Sequence, residues 1–554
     1  MFSGNFSEKD KQEISIDVVD ANSMSIIVRY MRLGLIDLAE LSLPSIGELA
    51  IAANFLQITE LIKQIEYCLE LQLSKCNWLE IMAIAENASY KSLEQRCAAY
   101  GLYDFKLMKA EFIESINKLV WYLSHTHLNS ESELQVFKFG VDWIIKHDKS
   151  ADALLLILGC LDVYRLKEEE LKDMKNLVKD FQHCLAEKVI DCLYTLATDC
   201  RIICCGKMNE RKKMLCEMYT ERIYTETFNL VNNSKKRQLK FKPCVAVWSR
   251  DPDPDMLDAK PHYLYTINNM NEFEPWLEVT EMCLWGWKFV AWGITKIVIV
   301  CGERRKGTGF FWKGVKIYDA LKKEWIEHGV ELPIRRHGGV AIVDDSLYII
   351  GGVGGYRVVL DTAIVYDLKQ RNYRKIAKFP DAIQSPAVCV YNRKVYASSH
   401  KNIYRYEDDE VQDKWVIALE TDIRLSCMVS YKGYIYCTQS YFNDLYRFRP
   451  NVDTRLQRIT SFDISPSTMC LFGNKLLAFE STDATQLAKV NIEEYDEDSE
   501  DRSPKLLWSR DNSPFIINDV AGSCAVVDSA PPLATEISDY VQRRLEDYHD
   551  CYSK

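Results

Sequence analysis

The chain has 554 residues, of which 47% are hydrophobic, 11% aromatic and 27% charged, so it can bury large cores, and fibres and low-complexity polymers are excluded. At roughly 150 residues per domain this length predicts about three or four domains. Lys plus Arg total 69 against 80 Asp plus Glu, a net charge of −11, which argues against a general nucleic-acid or anionic-membrane surface and leaves any basic site local.

The opening stretch, MFSGNFSEKDKQE, is polar and carries acids, unlike a signal or transit peptide. The longest apolar runs, Leu154 to Leu158 and Ile297 to Cys301, fall far below the roughly 20 residues that cross a bilayer. The expectation is a soluble, cytoplasmic protein, with the nucleus as the alternative. The 19 cysteines are irregularly spaced and form no CxxC, which predicts reduced core thiols rather than disulfides or zinc ligands.

From Ser23 to about Leu196 apolar residues recur at helical spacing, as in Ile46, Leu49, Ala50, Ala53 and Leu56, so this part is predicted helical. Residues Lys207 to Lys242 follow with ten Lys or Arg against four Glu. That tract reads as a solvated insertion, with a nuclear signal in KKRQLKFK, from Lys235, as the other reading. Short β-rich runs dominate thereafter: KIVIVCG from Lys296, SLYIIGG from Ser346, KVYASSH from Lys394, YIYCTQS from Tyr434 and KLLAFES from Lys475. Their starts lie 50, 48, 40 and 41 residues apart, the spacing of propeller blades. Aromatic pairs recur with them, Tyr318 with Trp325, Tyr366 with Tyr373 and Tyr406 with Trp415, and are expected to fill the wedges between blades. The run EEYDEDSED from Glu493 reads as a disordered acidic loop.

An apolar strand, the double glycine Gly351-Gly352 and a spaced aromatic pair resemble the kelch repeat. Strands near Ile202, Lys296, Ser346, Lys394, Tyr434 and Lys475 give six blades, and GSCAVVD, Gly522 to Asp528, is expected to complete the first blade and close the ring. Upstream, ELAIAANFLQITELIKQIEYCLELQL from Glu48 resembles the last helices of a BTB domain, and HLNSESELQVFKFGVDWIIKHD from His127 resembles a BACK domain. The three together resemble the BTB-BACK-kelch family, substrate adaptors of cullin-3 ubiquitin ligases. The implied layout is a multidomain chain with an α-helical half and an all-β six-bladed kelch propeller. Its boundaries would be 1–75, a partial BTB domain; 76–195, BACK; 196–528, the propeller with an insertion at about 209–261; and 529–554, a tail.

The resemblance also implies partners and sites. Phe6-Ser7-Glu8 stands where the family places the φ-x-E motif that enters the cullin, so Phe6 and Glu8 are expected cullin contacts, with Asn77 and Trp78 at the start of BACK. The early strands and first helix of a BTB domain are missing here, and Arg32-Leu33-Gly34 replaces a family Tyr-Thr-Gly. A homodimer is therefore not expected, and the N-terminus reads as truncated. The propeller is expected to hold an unknown protein target through Arg304, Arg305, Tyr356, Arg357, His400 and Tyr441, because Arg and Tyr suit an acidic or phosphorylated peptide. Actin is the alternative partner, in a scaffold without ligase activity. The scattered histidines and the lack of phosphate-binding or nucleophile motifs predict no catalysis, cofactor or metal.

Overall fold

The computed structural model describes residues 16, 18–199, 208–249, 262–268, 271–280, 284–408, 413–482, 489–499, 501–518 and 521–552. They fall into two compact units, residues 1–239 with 530–554, and residues 240–529.

The first unit is helical. Asp20 caps helix Ala21–Leu33 by accepting from Asn22 N and Ser23 N, and Gly34 ends it in the left-handed region at φ +70°, the usual stop signal. Ser42 caps Leu43–Phe55 in the same way. The stripe Ile46, Leu49, Ala50 and Ala53 is fully buried, as its spacing predicts. Helices Trp78–Asn87, Lys91–Tyr103, Ile116–Ser124, Glu133–Lys146 and Ala153–Gly159 continue the unit, and Ser132 caps the fourth of these through Gln135 N.

Helices extend beyond the predicted boundary at residue 196. Met208–Met218 and Glu221–Asn233 belong to the helical unit, so the basic tract is not an insertion in a blade. Thr220 caps the second of them through Ile223 N, and Ile223, Thr227 and Leu230 are buried along one face. Charged residues on the opposite face hide this stripe from a composition-based reading. Arg237, in the expected nuclear signal, is a buried anchor: Nε and Nη2 donate to Glu133 at 3.0 and 2.9 Å, and Nη1 donates to the carbonyls of Leu123 and His125. Nor is 529–554 a loose tail. Trp121 Nε1 donates to Leu533 O, helix Asp539–Tyr552 buries Tyr540 and Val541, and Arg544 pairs with Glu226.

The second unit is a six-bladed propeller of antiparallel sheets. In the second blade the strands run Lys288–Trp292, Lys296–Val300, Val315–Asp319 and Glu324–His328 in order. Four more blades repeat this order, with first strands Gly339–Val343, Val388–Tyr391, Leu425–Tyr431 and Thr468–Phe472. The five β runs singled out in the sequence are the second strands of these blades. Each first strand lies beside the next, and Ser523–Val527 closes the circle between Thr468–Phe472 and Lys288–Trp292.

That closing strand pairs with Phe241–Ser249, from Phe241 opposite Val527 to Val245 opposite Ser523, and the first blade continues with His262–Ile267 and Phe273–Thr280. The expected strand near Ile202 lies outside the described residues, and Phe241–Ser249 takes its place in the blade. The acidic run also differs from expectation. Glu493 to Tyr495 end strand Lys489–Tyr495, Glu493 is buried and accepts from Asp463 N, and Glu494 pairs with Lys475 at 2.7 Å.

The predicted aromatic pairs sit opposite each other on neighbouring strands, Tyr318 with Trp325, Tyr366 with Tyr373 and Tyr406 with Trp415. Trp325 Nε1 donates to Glu278 O and Trp415 Nε1 to Ala377 O, each at the end of the preceding blade. The indoles thus pack within one blade and bond to the one before. The double glycine is a steric requirement. Gly351 and Gly352 have φ of +59° and +97°, and a Cβ would stand 2.6 Å from Ile383 O and 2.7 Å from Arg336 O.

Candidate functional site

The candidate target-binding face is built where loops after the second strands meet the loops linking blades. In the linker entering the second blade, Leu284 and Trp285 pair with Arg304 and Glu303. In the linker entering the third, Gly302 N donates to Arg335 O, Arg336 bridges Val353, and His337 N donates to Gly286 O. These bonds set the loop carrying Arg304 and Arg305 beside the loop carrying Tyr356 and Arg357. His400 and Tyr441 occupy the equivalent turns of the fourth and fifth blades. All six expected readers are exposed, Tyr356 at 103% and Tyr441 at 92%, so none is spent on the core.

Several turns on this face share the left-handed backbone found at turns elsewhere in the chain, such as Lys323, Asp344, Arg371 and Lys432. Arg305, Tyr356, Arg357 and Tyr441 hold φ of +61°, +54°, +60° and +67°, a region costly for bulky side chains, at about 1 kcal/mol or more each. All four side chains are exposed.

Beneath the rim lies a buried, charged floor. The buried Glu303 carboxylate accepts from Gly309 N at 2.6 Å and pairs with Arg336 at 3.0 Å, while Arg336 lies 4.7 Å over the Trp285 ring. Arg335 is equally committed, donating to the carbonyls of Gly351 and Thr362. His337 packs edge-on against Trp285 at 4.6 Å, and burial pushes its ring down to about 4, so it is neutral at pH 7. Because Glu303 and Arg336 offset each other, the rim charge is set by Arg304, Arg305, Lys306 and Arg357, all exposed and all positive. Exposed apolar side chains, Phe310, Val358 and Phe442, lie in the same loops. Anionic peptides with apolar or aromatic neighbours match such a rim.

Two of the four expected cullin contacts are described by the structure. Phe6 and Glu8 lie outside the described residues. Asn77 is half-buried at the start of helix Trp78–Asn87, where its side chain accepts from Ser74 N and donates to Gln72 O. Trp78 is 2% exposed, 5.3 Å from the Tyr122 ring, and so tightly covered that a Cβ on Gly101 would fall 2.5 Å from the indole. Its side chain offers no surface to a partner. From sequence, an aromatic at a helix start looks the same facing in or out, and only the facing Gly101 on Lys91–Tyr103 gives it away.

Comparison with known proteins agrees with the geometry. Residues 78–176 match the family described as BTB And C-terminal Kelch, and residues 334–380 match the Kelch motif. Kelch-like protein 15 of Homo sapiens is 25% identical over 406 residues, covering 64% of this chain and 62% of that protein. Its counterpart in Danio rerio is 27% identical over 398 residues, with the same coverage of 64% and 62%. Kelch-like protein 28 of Homo sapiens is 31% identical over 151 residues, 27% of this chain and 26% of that one. The chain is thus similar to kelch-like proteins, with a BACK match in its helical unit and a Kelch match in its propeller.

The chain spans between a quarter and about three fifths of the length of the curated relatives it matches. Its kelch match, 334–380, is centred on the blade that keeps both glycines. That blade carries Tyr356 and Arg357 on the loop following the glycine pair. Sequence reasoning missed Glu303, Arg335, Arg336 and His337; the last three form a basic run, Arg335-Arg336-His337, before a strand. Among the described residues no group of His, Cys, Asp and Glu has the arrangement of a metal site.

Proposed function

We propose that this chain is a non-catalytic substrate-recognition adaptor of a cullin-3 ubiquitin ligase, in which the propeller face holds the target and the helical unit binds the cullin. What carries the reading is the pairing of a BACK helical domain with a propeller whose exposed Tyr and Arg side chains surround a buried Glu303–Arg336 pair. The adaptor acts by raising the effective concentration of a target beside the charged conjugating enzyme. Tyr356 and Tyr441 supply rigid aromatic area, and Arg304, Arg305 and Arg357 supply bidentate donors for carboxylate or phosphate groups. On the helical side Phe6 and Glu8 enter the cullin and Asn77 borders the contact, with Trp78 supporting it from within. The adaptor works in the cytoplasm.

The test of the recognition half is a panel of acidic and phosphorylated peptides titrated against the full chain. Arg304→Ala and Arg357→Ala are each expected to weaken a binding peptide by about tenfold, the cost of one charge-assisted pair. Binding that ignores both variants, or a chain that sediments with actin filaments and takes no anionic peptide, would contradict the reading.

A further inference from the structure

The ring of the propeller is closed without a covalent bond, yet two thiols face each other at the closure. Cys244, on Phe241–Ser249, stands directly opposite Cys524, on the closing strand Ser523–Val527, and their sulfurs are 3.6 Å apart. Directly opposed residues of antiparallel strands have Cα atoms about 4.5 to 5.5 Å apart. That range falls within the roughly 4.4 to 6.8 Å a disulfide spans, so side-chain rotation alone can bring the sulfurs to bonding distance.

We propose that Cys244 and Cys524 form a dithiol oxidised by peroxide to a disulfide that locks the propeller ring. Cys524 attacks one peroxide oxygen as the O–O bond breaks, giving a sulfenic acid and, after proton transfer, one water. Cys244 then attacks the Cys524 sulfur, the S–S bond forms, and the sulfenic oxygen leaves as a second water. Two thiols and one hydrogen peroxide thus become one disulfide and two waters.

Three observations bear on this assignment. The pair joins segments 280 residues apart in the chain, so the cross-link constrains the unfolded propeller over nearly its whole length. The closing strand is otherwise held by ordinary bonds: its ladder with Phe241–Ser249, Ser523 to Thr468 at 2.9 Å, and Val527 N to Ile294 O at 2.8 Å. Cys244 is fully buried and Cys524 is 8% exposed within an apolar cluster. Contact with the Cys244 thiol and burial hold the Cys524 thiol well above its usual range, so the closed ring is slow to react and oxidation proceeds when the strand opens. The reaction therefore selects propellers whose closure is loosening and makes closure permanent.

The experiment treats the purified full chain with hydrogen peroxide, alkylates the remaining thiols, and maps disulfide-linked peptides by mass spectrometry under non-reducing conditions. A Cys244–Cys524 link is expected, reversed by dithiothreitol, formed several-fold faster in dilute urea, and raising the propeller melting midpoint by about 5 to 10 °C. Both Cys524→Ser and Cys524→Ala should abolish the link and the shift. Linkage of either cysteine to Cys470 instead, over-oxidation without a link, or a link that leaves the midpoint unmoved would overturn the proposal. Mapping on the unsubstituted chain decides the question even if a variant misfolds.

Discussion

Arg237 shows how one side chain can decide the reading of a whole segment. Its guanidinium is bonded to a fully buried carboxylate, that of Glu133, which also accepts from Asp162 N, and to two backbone carbonyls. Removing Arg237 leaves the buried Glu133 carboxylate to Asp162 N and to Arg165 Nη1 at 3.4 Å, so Arg237→Ala is expected to destabilise the helical unit by about 3 kcal/mol, the low end for a broken buried pair, measured by urea denaturation. Loss of less than about 1 kcal/mol would mean that Glu133 is otherwise satisfied. A second residue-scale prediction concerns pH. Burial pushes the rings of His125, His262 and His337 down to about 4, whereas the unfolded chain binds its proton near 6.5. Between those values the unfolded state holds more protons, so stability is complete above about pH 6.5 and falls as pH drops toward 4. His125 reports on the helical unit, where Nδ1 accepts from His127 N and Nε2 lies 3.0 Å from Pro532 O; the other two report on the propeller. Urea midpoints of both units should be lower at pH 5 than at pH 7, and His125→Gln should flatten the difference for the helical unit alone.

At the scale of elements, the loops after the second strands separate stability from binding. Tyr356 buries nothing and holds a left-handed backbone, so Tyr356→Gly relieves about 1 kcal/mol of strain and costs about 0.5 to 1 kcal/mol of chain entropy. The variant should keep its melting midpoint within a few degrees and lose at least tenfold in target affinity. A matched fall in both would assign Tyr356 a structural role. Such loops were legible because the second strands announce themselves: they are apolar on both faces and end in turn residues. The helical stripe from Ile46 to Ala53 was legible for a similar reason, its period being unmistakable. The first blade was not, since Phe241–Ser249 begins at the end of the basic tract, contains Lys242 and Pro243, and finds its partner strand at the other end of the chain. Helix Glu221–Asn233 was masked by charges on its solvent face, and strand Lys489–Tyr495 by acids that its register sets against Lys475 and the Asp463 backbone. In each case the decisive neighbour is distant in sequence, so no local pattern records it.

For the whole molecule, the chain forms two compact units. The helical unit recovers the C-terminal segment 530–554, so the chain leaves it for the propeller after residue 239 and returns after 529. Within the propeller, its first and last strands, Phe241–Ser249 and Ser523–Val527, pair to hold the ring shut. An adaptor needs the helical unit to engage the ligase whether or not a target is bound, and this gives the account its most direct test. Purified full chain titrated with the amino-terminal region of cullin-3 by calorimetry should form a one-to-one complex of micromolar affinity or tighter, weakened about tenfold or more by Phe6→Ala and unchanged by Arg357→Ala. A folded chain that gives no binding heat with cullin-3, or whose binding is lost on changing Arg357 and unaffected by changing Phe6, would contradict it.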